Sequence, residues 1–249
     1  MSNLSTAQLM AEADEAASVK AAADSAAVAA AFAALATYQA GSGRAALLPI
    51  DEAARACLAN AAERDKLEQR LLAALKIELS PVAKEYLCSK LGLIGSAAAV
   101  PALAARLADP DVSQAARNAL EALPCPQAGQ ALRERLSQLE GLPKAGVINS
   151  LGARRDLEAV PALAQLLQDT DPQIAGAAAA ALGRIGTPQA ARVLLQFLPN
   201  APQAMQEETA DASLACAERL LTDGHQSQAL AMYRALLDSP QSKPIHRAA

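Results

Sequence analysis

The chain has 249 residues, a net charge of −4 and a pI near 5.3. Apolar residues make up 52%, mostly alanine and leucine, while aromatics are only 2% and tryptophan is absent, a composition suited to closely stacked helices. Without a basic tract the chain is a poor nucleic-acid binder, because that affinity comes mainly from neutralising phosphates, and no run alternates with the two-residue period of a strand.

Met1 to Gln39 reads as alanine-rich helix, opened by Ser5-Thr6-Ala7-Gln8 as a capping box. The uncharged run from Ser25 to Gly43 is mostly alanine and follows acidic residues. It is therefore predicted as a packed helix ending near Gly41, not as a signal peptide or membrane span. Gly41-Ser42-Gly43 is the first break. The next helix, through Ala46, Leu47, Ile50, Ala54 and Leu58, is either kinked by Pro49 or restarted at Asp51. Residues 1–60 depart from the repeat found further along the chain and are assigned to N-terminal capping helices, with a repeat array over 61–249.

Ala61 to Ile77 is a stronger helix, with Leu67, Leu71, Leu72 and Leu75 on one face. Ser80-Pro81 starts its partner, Val82 to Ile94. From here the chain repeats itself. Ala99–Ala104 and Ala159–Ala164 are both Ala-Val-Pro-Ala-Leu-Ala, offset by 161 − 101 = 60. Leu91-Gly92-Leu93-Ile94-Gly95 returns as Leu182-Gly183-Arg184-Ile185-Gly186. Leu91, Leu120, Leu151 and Leu182 form a ladder with steps of 29, 31 and 31. Such self-similarity marks a solenoid, in which each unit buries its apolar face against its neighbours.

Each unit reads as helix, turn, helix. Asp109-Pro110 and Asp171-Pro172 are predicted starts of second helices, with the acid as N-cap and proline at the first helical position. Gly141-Leu142-Pro143 replaces that start in the third unit, which is expected to begin later or more loosely. Gly186 is placed to end a helix in left-handed conformation. After Pro188 to Leu198 comes Pro199 to Glu207, a longer and more polar turn. The ladder step from Leu182 to Leu220 is 38, so an insertion is expected in this unit. Gln226 to Leu237 is another first helix. Pro244 matches Pro172, and the chain ends before the corresponding leucine. The last repeat is therefore expected to be truncated, or the polypeptide to be a segment of a longer, multidomain protein.

Ala99–Leu107 with Asp109-Pro110, and Ala159–Leu167 with Asp171-Pro172 and Ala181–Gly186, resemble the HEAT-like repeats of bacterial proteins, including those of the bilin-lyase type. The resemblance implies an all-α, right-handed α-solenoid of stacked antiparallel helix pairs, with second helices lining a concave wall. Ser113 and Ala175 stand where the family often has an arginine able to build an inter-repeat Arg–Asp ladder.

Catalytic, cofactor and metal signatures are missing from the sequence. His225 and His246 lack partners at ligand spacing, and no nucleophile elbow, phosphate loop or dinucleotide fingerprint occurs. Cys57, Cys88, Cys125 and Cys216 form no C-x-x-C pair. Cys216 aligns with Leu87, Ala116, Val147 and Ala178, which makes it a small buried hydrophobe. The candidate partner-binding residues are polar. Ser89, Asn118, Asn149 and Ala180 share one register on successive second helices, either recognising a peptide or bonding between repeats. Arg154 and Arg155, in the turn after a second helix, are either interface anchors or counter-charges to a helix C-terminus. Arg184 stands among interspersed charges, and Gly176 to Ala181 is a smooth patch.

The function expected is a non-catalytic scaffold that binds a protein or peptide partner, with no cofactor, nucleic acid or membrane involved. The alternative is a bilin-lyase-like or other small-ligand-handling protein using Cys88 beside Lys84 or Lys90; nucleic-acid repair comes third. A soluble protein is expected, and the sequence does not choose between cytoplasm and an exported location.

Overall fold

Helix forms wherever apolar residues recur at helical spacing. The computed structural model describes residues 24–238, and among them there are α-helices, short 3-10 turns and no strand. The fold is all-α. Packing divides the chain into two units, Met1–Gly95 and Ser96–Ala249. The hairpin over 61–94, placed with the repeat array by sequence, falls in the first unit. The capping box at Ser5–Gln8 and the segment Ser242–Ala249 lie outside the described residues.

The first unit contains α1 (residues 24–34), α2 (Leu48–Ala56), α3 (Ala61–Ala74) and α4 (Pro81–Ile94). The uncharged run leaves α-helix earlier than Gly41: a 3-10 turn at Leu35–Thr37 leads to an extended Tyr38. Pro49 sits in the first turn of α2, where a missing N–H costs no helical bond, so the helix restarts at Leu48. Ser80 caps α4 as expected. Its Oγ accepts from the Ala83 N–H at 3.2 Å and donates to the Tyr38 carbonyl at 2.5 Å. Asp51 ties α2 to α4: Tyr86 OH donates to its Oδ1 at 2.9 Å, and Lys90 Nζ lies 2.7 Å from the same atom. Burial pushes the Asp51 carboxyl up, but the bonds from Lys90, Tyr86 and Arg44 outweigh it and hold the group below its ordinary value.

The second unit is a row of helix pairs. First helices are α5 (Val100–Ala104), α7 (Pro126–Leu136), α9 (Val160–Leu166), α11 (Pro188–Phe197) and α13 (Gln226–Asp238). Second helices are α6 (Ser113–Ala122), α8 (Gly141–Ala153), α10 (Pro172–Ile185) and α12 (Gln206–Thr222). Each second helix packs on its own first helix; α6 packs on α8, α8 on α10 and α10 on α12, with α8–α10 and α10–α12 the most extensive pairings. This is the solenoid arrangement. The ladder residues Leu120, Leu151, Leu182 and Leu220 are fully buried, each contributing about 1.5–3 kcal/mol of burial.

Two predicted helix starts differ from the structure. After Asp109 the chain passes through a turn before the helix begins, although the Asp109 side chain accepts from the Asp111 N–H at 3.1 Å, as Asp171 does from the Gln173 N–H at 2.9 Å. Here α6 opens only at Ser113, and Pro110 is not its first residue. Conversely, α8 starts at Gly141, in step with Pro172 (172 − 141 = 31), though no side chain caps it. Asp171 caps α10 by accepting from the Gln173 N–H at 2.9 Å, and Gly186 ends that helix at φ +61°.

One contact recurs along the second helices. Glu121 of α6 accepts a hydrogen bond from Ser150 Oγ of α8 at 2.5 Å. A Cβ built on Gly152 of α8 would lie 2.8 Å from Ala181 Cα of α10, and one built on Gly183 of α10 would lie 2.6 Å from the Ala212 carbonyl of α12. The separations are 150 − 121, 181 − 152 and 212 − 183, each 29. The Ala212 contact keeps this register, so Pro199–Glu207 is not the insertion expected from sequence; it folds as parts of two 3-10 turns and the start of α12. The extra residues, 38 − 31 = 7, lie within α12 between Ala212 and Leu220. Seven residues make about two turns, so α12 lengthens without rotating its faces. Ser213 (182 + 31) and Leu220 (182 + 38) are accordingly both fully buried.

Gly183→Ala is expected to destabilise the fold by about 1–3 kcal/mol through overpacking, read from urea melts. Gly176→Ala is the control, since its Cβ would meet only the Glu208 carboxylate at 3.6 Å. It should gain up to about 1 kcal/mol from helix propensity. Equal effects at the two sites would remove the close-contact explanation.

Candidate functional site

The second helices carry both the predicted polar row and the arginines, and the structure uses the two groups differently. Arg154 follows α8 and turns back to the end of α6. Its Nη1 donates to the carbonyls of Leu120 (2.6 Å), Glu121 (3.0 Å) and Leu123 (2.8 Å), and Nη2 donates to Cys125 O (2.9 Å). Leu120 and Glu121 lie in the last turn of α6, whose carbonyls the helix leaves unpaired at the negative end of its dipole, while Leu123 follows that helix and Cys125 precedes α7. The Arg154 guanidinium is thus engaged at the end of α6.

Arg155 works in the other direction along the array. It has φ +52°, the one non-glycine residue with positive φ among the described residues. Its backbone closes α8: the Arg155 N–H donates to Gly152 O and the Asp156 N–H to Leu151 O, both at 3.0 Å. Gly186 and Gly224 take the same left-handed conformation four residues after Leu182 and Leu220. The side chain gives arginine a use where glycine is ordinary. Nε donates to Ile185 O at the end of α10 (3.2 Å), and Nη2 donates to Asp223 Oδ2 after α12 (2.6 Å). One residue thus links the ends of three successive second helices. Further ion pairs join neighbouring units, Arg133 to Asp156 at 2.5 Å and Lys144 to Asp169 at 3.4 Å. Charged links between repeats exist, at positions other than those occupied by Ser113 and Ala175.

The polar row faces outward. Asn118 and Arg184 are exposed, and Asn149 and Ala180 are half-buried. Asn118, Asn149 and Ala180 are spaced 31 apart, and the next position, Asp211, is exposed as well. The one side-chain hydrogen bond within this row is between Arg184 Nη1 and Asn149 Oδ1, at 3.4 Å. Exposed Ala122 and Ala153 and half-buried Ala177 lie on the same face, which gives a low, small-residue floor. Leu142, two turns before Asn149, is 75% exposed and was missed from sequence. Its signal was an apolar side chain two turns from an asparagine on a polar stripe. At the α12 end the face turns acidic, with Glu207, Glu208, Asp211 and Glu218 exposed. Ser89, in the first unit, is exposed and its Oγ donates to Tyr86 O at 2.7 Å.

The cysteines offer little chemistry. Cys88, the one nominated for small-ligand chemistry, is fully buried. Its cationic neighbours are engaged elsewhere: Lys90 Nζ lies 2.7 Å from Asp51, and Lys84 Nζ lies 3.3 Å from Glu78. Cys216 is fully buried as expected, and burial pushes its thiol up to about 11. In the first unit an open cavity of about 560 Å³ is lined by Val28, Cys57, Asn60, Glu63, Lys66 and Arg70, among others. Four of its polar side chains are already committed: Asn60 caps α3, Glu63 pairs with Lys66 at 2.7 Å, and Arg70 lies over the Phe32 ring at 4.5 Å. Burial also raises the Cys57 thiol. Among the described residues no group of three or more His, Cys, Asp or Glu could hold a metal ion, and no helix is long and apolar enough to cross a membrane.

Two substitutions test the terminal clamps. Arg154→Met keeps the apolar stem and removes bonds to four carbonyls. It should cost about 2–3 kcal/mol, the range for hydrogen bonds to a charged group; a loss below about 0.5 kcal/mol would rule the clamp out. Asp223 is held below its ordinary value by the Arg155 hydrogen bond first and by nearby positive charge. A lowered carboxylate contributes stability above its unfolded value, near pH 4, and loses it as pH falls through the folded value. Asp223→Asn should therefore flatten the decline of the urea midpoint below about pH 4. An unchanged slope would show that the pair contributes nothing.

The family model for HEAT repeats matches residues 138–215, a span that contains both glycine–alanine contacts, Gly152–Ala181 and Gly183–Ala212. No curated protein matches the chain. Among solved structures, a chain of the complex of CpcE and CpcF of phycocyanin lyase from Nostoc sp. PCC7120 is 22% identical, with a TM-score of 0.43, over 83% of this chain and 92% of that one. Over residues 138–215 the chain is therefore similar to HEAT repeats.

Proposed function

We propose that the chain is a non-catalytic interaction scaffold and that the outward face of α6, α8 and α10 receives a protein or peptide partner. The observation that carries this reading is the outward row Asn118–Asn149–Ala180, with Leu142 beside it and Arg184 bonded to Asn149 within the row. A strongly exposed leucine next to amide and guanidinium groups, over a floor of alanines, has the make-up of a small recognition patch: one apolar anchor and a few orienting hydrogen bonds. The small floor lets an extended segment or a helix approach closely. Cys88 lies sealed in the first unit, which removes the side chain on which a small-ligand reaction was to depend.

A photo-crosslinking residue placed at Asn149 tests the reading, with a second at exposed Gln130 on α7 as control. In the native host, Asn149 should capture a defined partner that Gln130 does not. Leu142→Glu with Arg184→Glu should lower that capture at least about tenfold, the loss of one good anchor. Capture of the same proteins from both positions, or no effect of the double substitution, would end this assignment.

A further inference from the structure

Resting on the reading of the outward face as a partner surface, we infer that its occupant is an extended segment of another protein that crosses the second helices from α6 to α12. An apolar residue of the segment lies on Leu142. Lysine or arginine about five to seven extended residues further on lies over Glu207, Glu208 and Asp211. Leu142 and the three carboxylates are exposed, and the register of the second helices puts them on one face.

Steps of 31 lay the second helices side by side. Asp211 continues the row Asn118–Asn149–Ala180, and Glu207 continues Gln114, Ala145 and Gly176. On α6, α8 and α10 both rows stay exposed or half-buried, although a further second helix packs beside each of these three. A repeat following α12 would leave Glu207 and Asp211 facing outward in the same way, so the assignment holds with or without one.

Charge sets one end of the occupant. Glu207, Glu208 and Asp211 form no ion pair among the described residues, where the pairs found are made by other groups. They favour cationic side chains and oppose phosphate or carboxylate. Backbone chemistry sets the conformation. Asn118 and Asn149 carry amides, which both donate and accept. Asn149 Oδ1 accepts from Arg184 at 3.4 Å, which leaves its NH2 to donate outward. An extended segment has N–H and C=O groups free for such amides, whereas a helix has used its own internally. Distance sets the spacing. Neighbouring helices lie about 8–10 Å apart, so α8 and α12 are about 16–20 Å apart, and about 3.3 Å per extended residue gives the five to seven stated. Residues 239–249 set Ile245 only two residues from Lys243 and from Arg247, too close to reach from Leu142 to α12.

The test uses the full chain and labelled flexible peptides, read by fluorescence anisotropy. The parent peptide has a leucine followed about six residues later by two lysines, with serine and glycine between. One variant carries glutamates for the lysines, a second sets the lysines directly after the leucine, and a third is N-methylated along the spacer. The parent should bind at least about tenfold tighter than each, and its margin over the glutamate peptide should widen at low salt. Leu142→Gln should weaken it about tenfold, as should Glu207→Gln with Glu208→Gln and Asp211→Asn. A variant peptide that binds as well as the parent, or binding that ignores the carboxylates, overturns the proposal. So does about tenfold tighter binding by Lys243→Glu with Arg247→Glu, since the chain's own end would then hold the face. A dimer in sedimentation that Leu142→Gln abolishes overturns it in favour of a second copy. Specific capture at Asn149 in the host with the peptides undistinguished removes this inference and leaves the scaffold reading standing; without that capture both fall.

Discussion

The second unit depends on one contact made three times: the approach of each second helix to the next at residues 29 apart. In a solenoid no distant part of the chain can correct a poor fit, because stability is summed from each pair and its two interfaces. The contact therefore sets the spacing of the units. At Gly152 and Gly183 it is backbone against backbone, with no room for even a methyl group. At Glu121 it is a hydrogen bond to Ser150. The two solutions occupy the same place and serve the same step, which shows that the geometry is kept while the chemistry changes. It also explains the alanine content: Ala181 and Ala212 are the partners of the glycines, and larger side chains there would push the helices apart.

The helix ends impose a second constraint. A row of short helices ends in many unpaired carbonyls, and here two adjacent arginines answer for several of them in opposite directions. Arg154 binds back to the end of α6, while Arg155 binds forward to the end of α10 and to Asp223 beyond α12. The left-handed backbone at Arg155 costs about 1–2 kcal/mol relative to glycine, and the bonds its side chain makes offset that. Local backbone strain and long-range linkage are therefore properties of one residue.

Much of this was legible in the sequence and some was not, for definite reasons. The leucine ladder found the core, since Leu120, Leu151, Leu182 and Leu220 are all fully buried, and Cys216 was placed there by the same register. Periodicity reports which side of a helix is inside, and a repeat makes that report redundant. It is silent on the conformation of the chain after an Asp-Pro pair. Asp109 and Asp171 each accept from the N–H two residues on, yet α6 opens only at Ser113 while α10 opens at Pro172. The same two letters have two local outcomes, which the pair alone does not distinguish. Nor could spacing show that the step of 38 is two added turns inside α12, because a loop and a whole number of turns shift the ladder equally. The contact of Gly183 with Ala212 settles it.

The candidate site divides along the same line. Arg154 and Arg155 looked like surface arginines because sequence shows charge and not the carbonyls of helices some 30 residues away. Asn118 and Asn149 kept their outward position because the ladder leucine two residues on is buried, and a helix cannot turn both positions inward. The same constraint holds Leu142. It lies two turns before Asn149, so burying it would require the asparagine row to be buried as well. A large apolar side chain is therefore held in solvent by the packing of α8 itself, and the same geometry that buries Leu151 keeps Leu142 and Asn149 on one outward line.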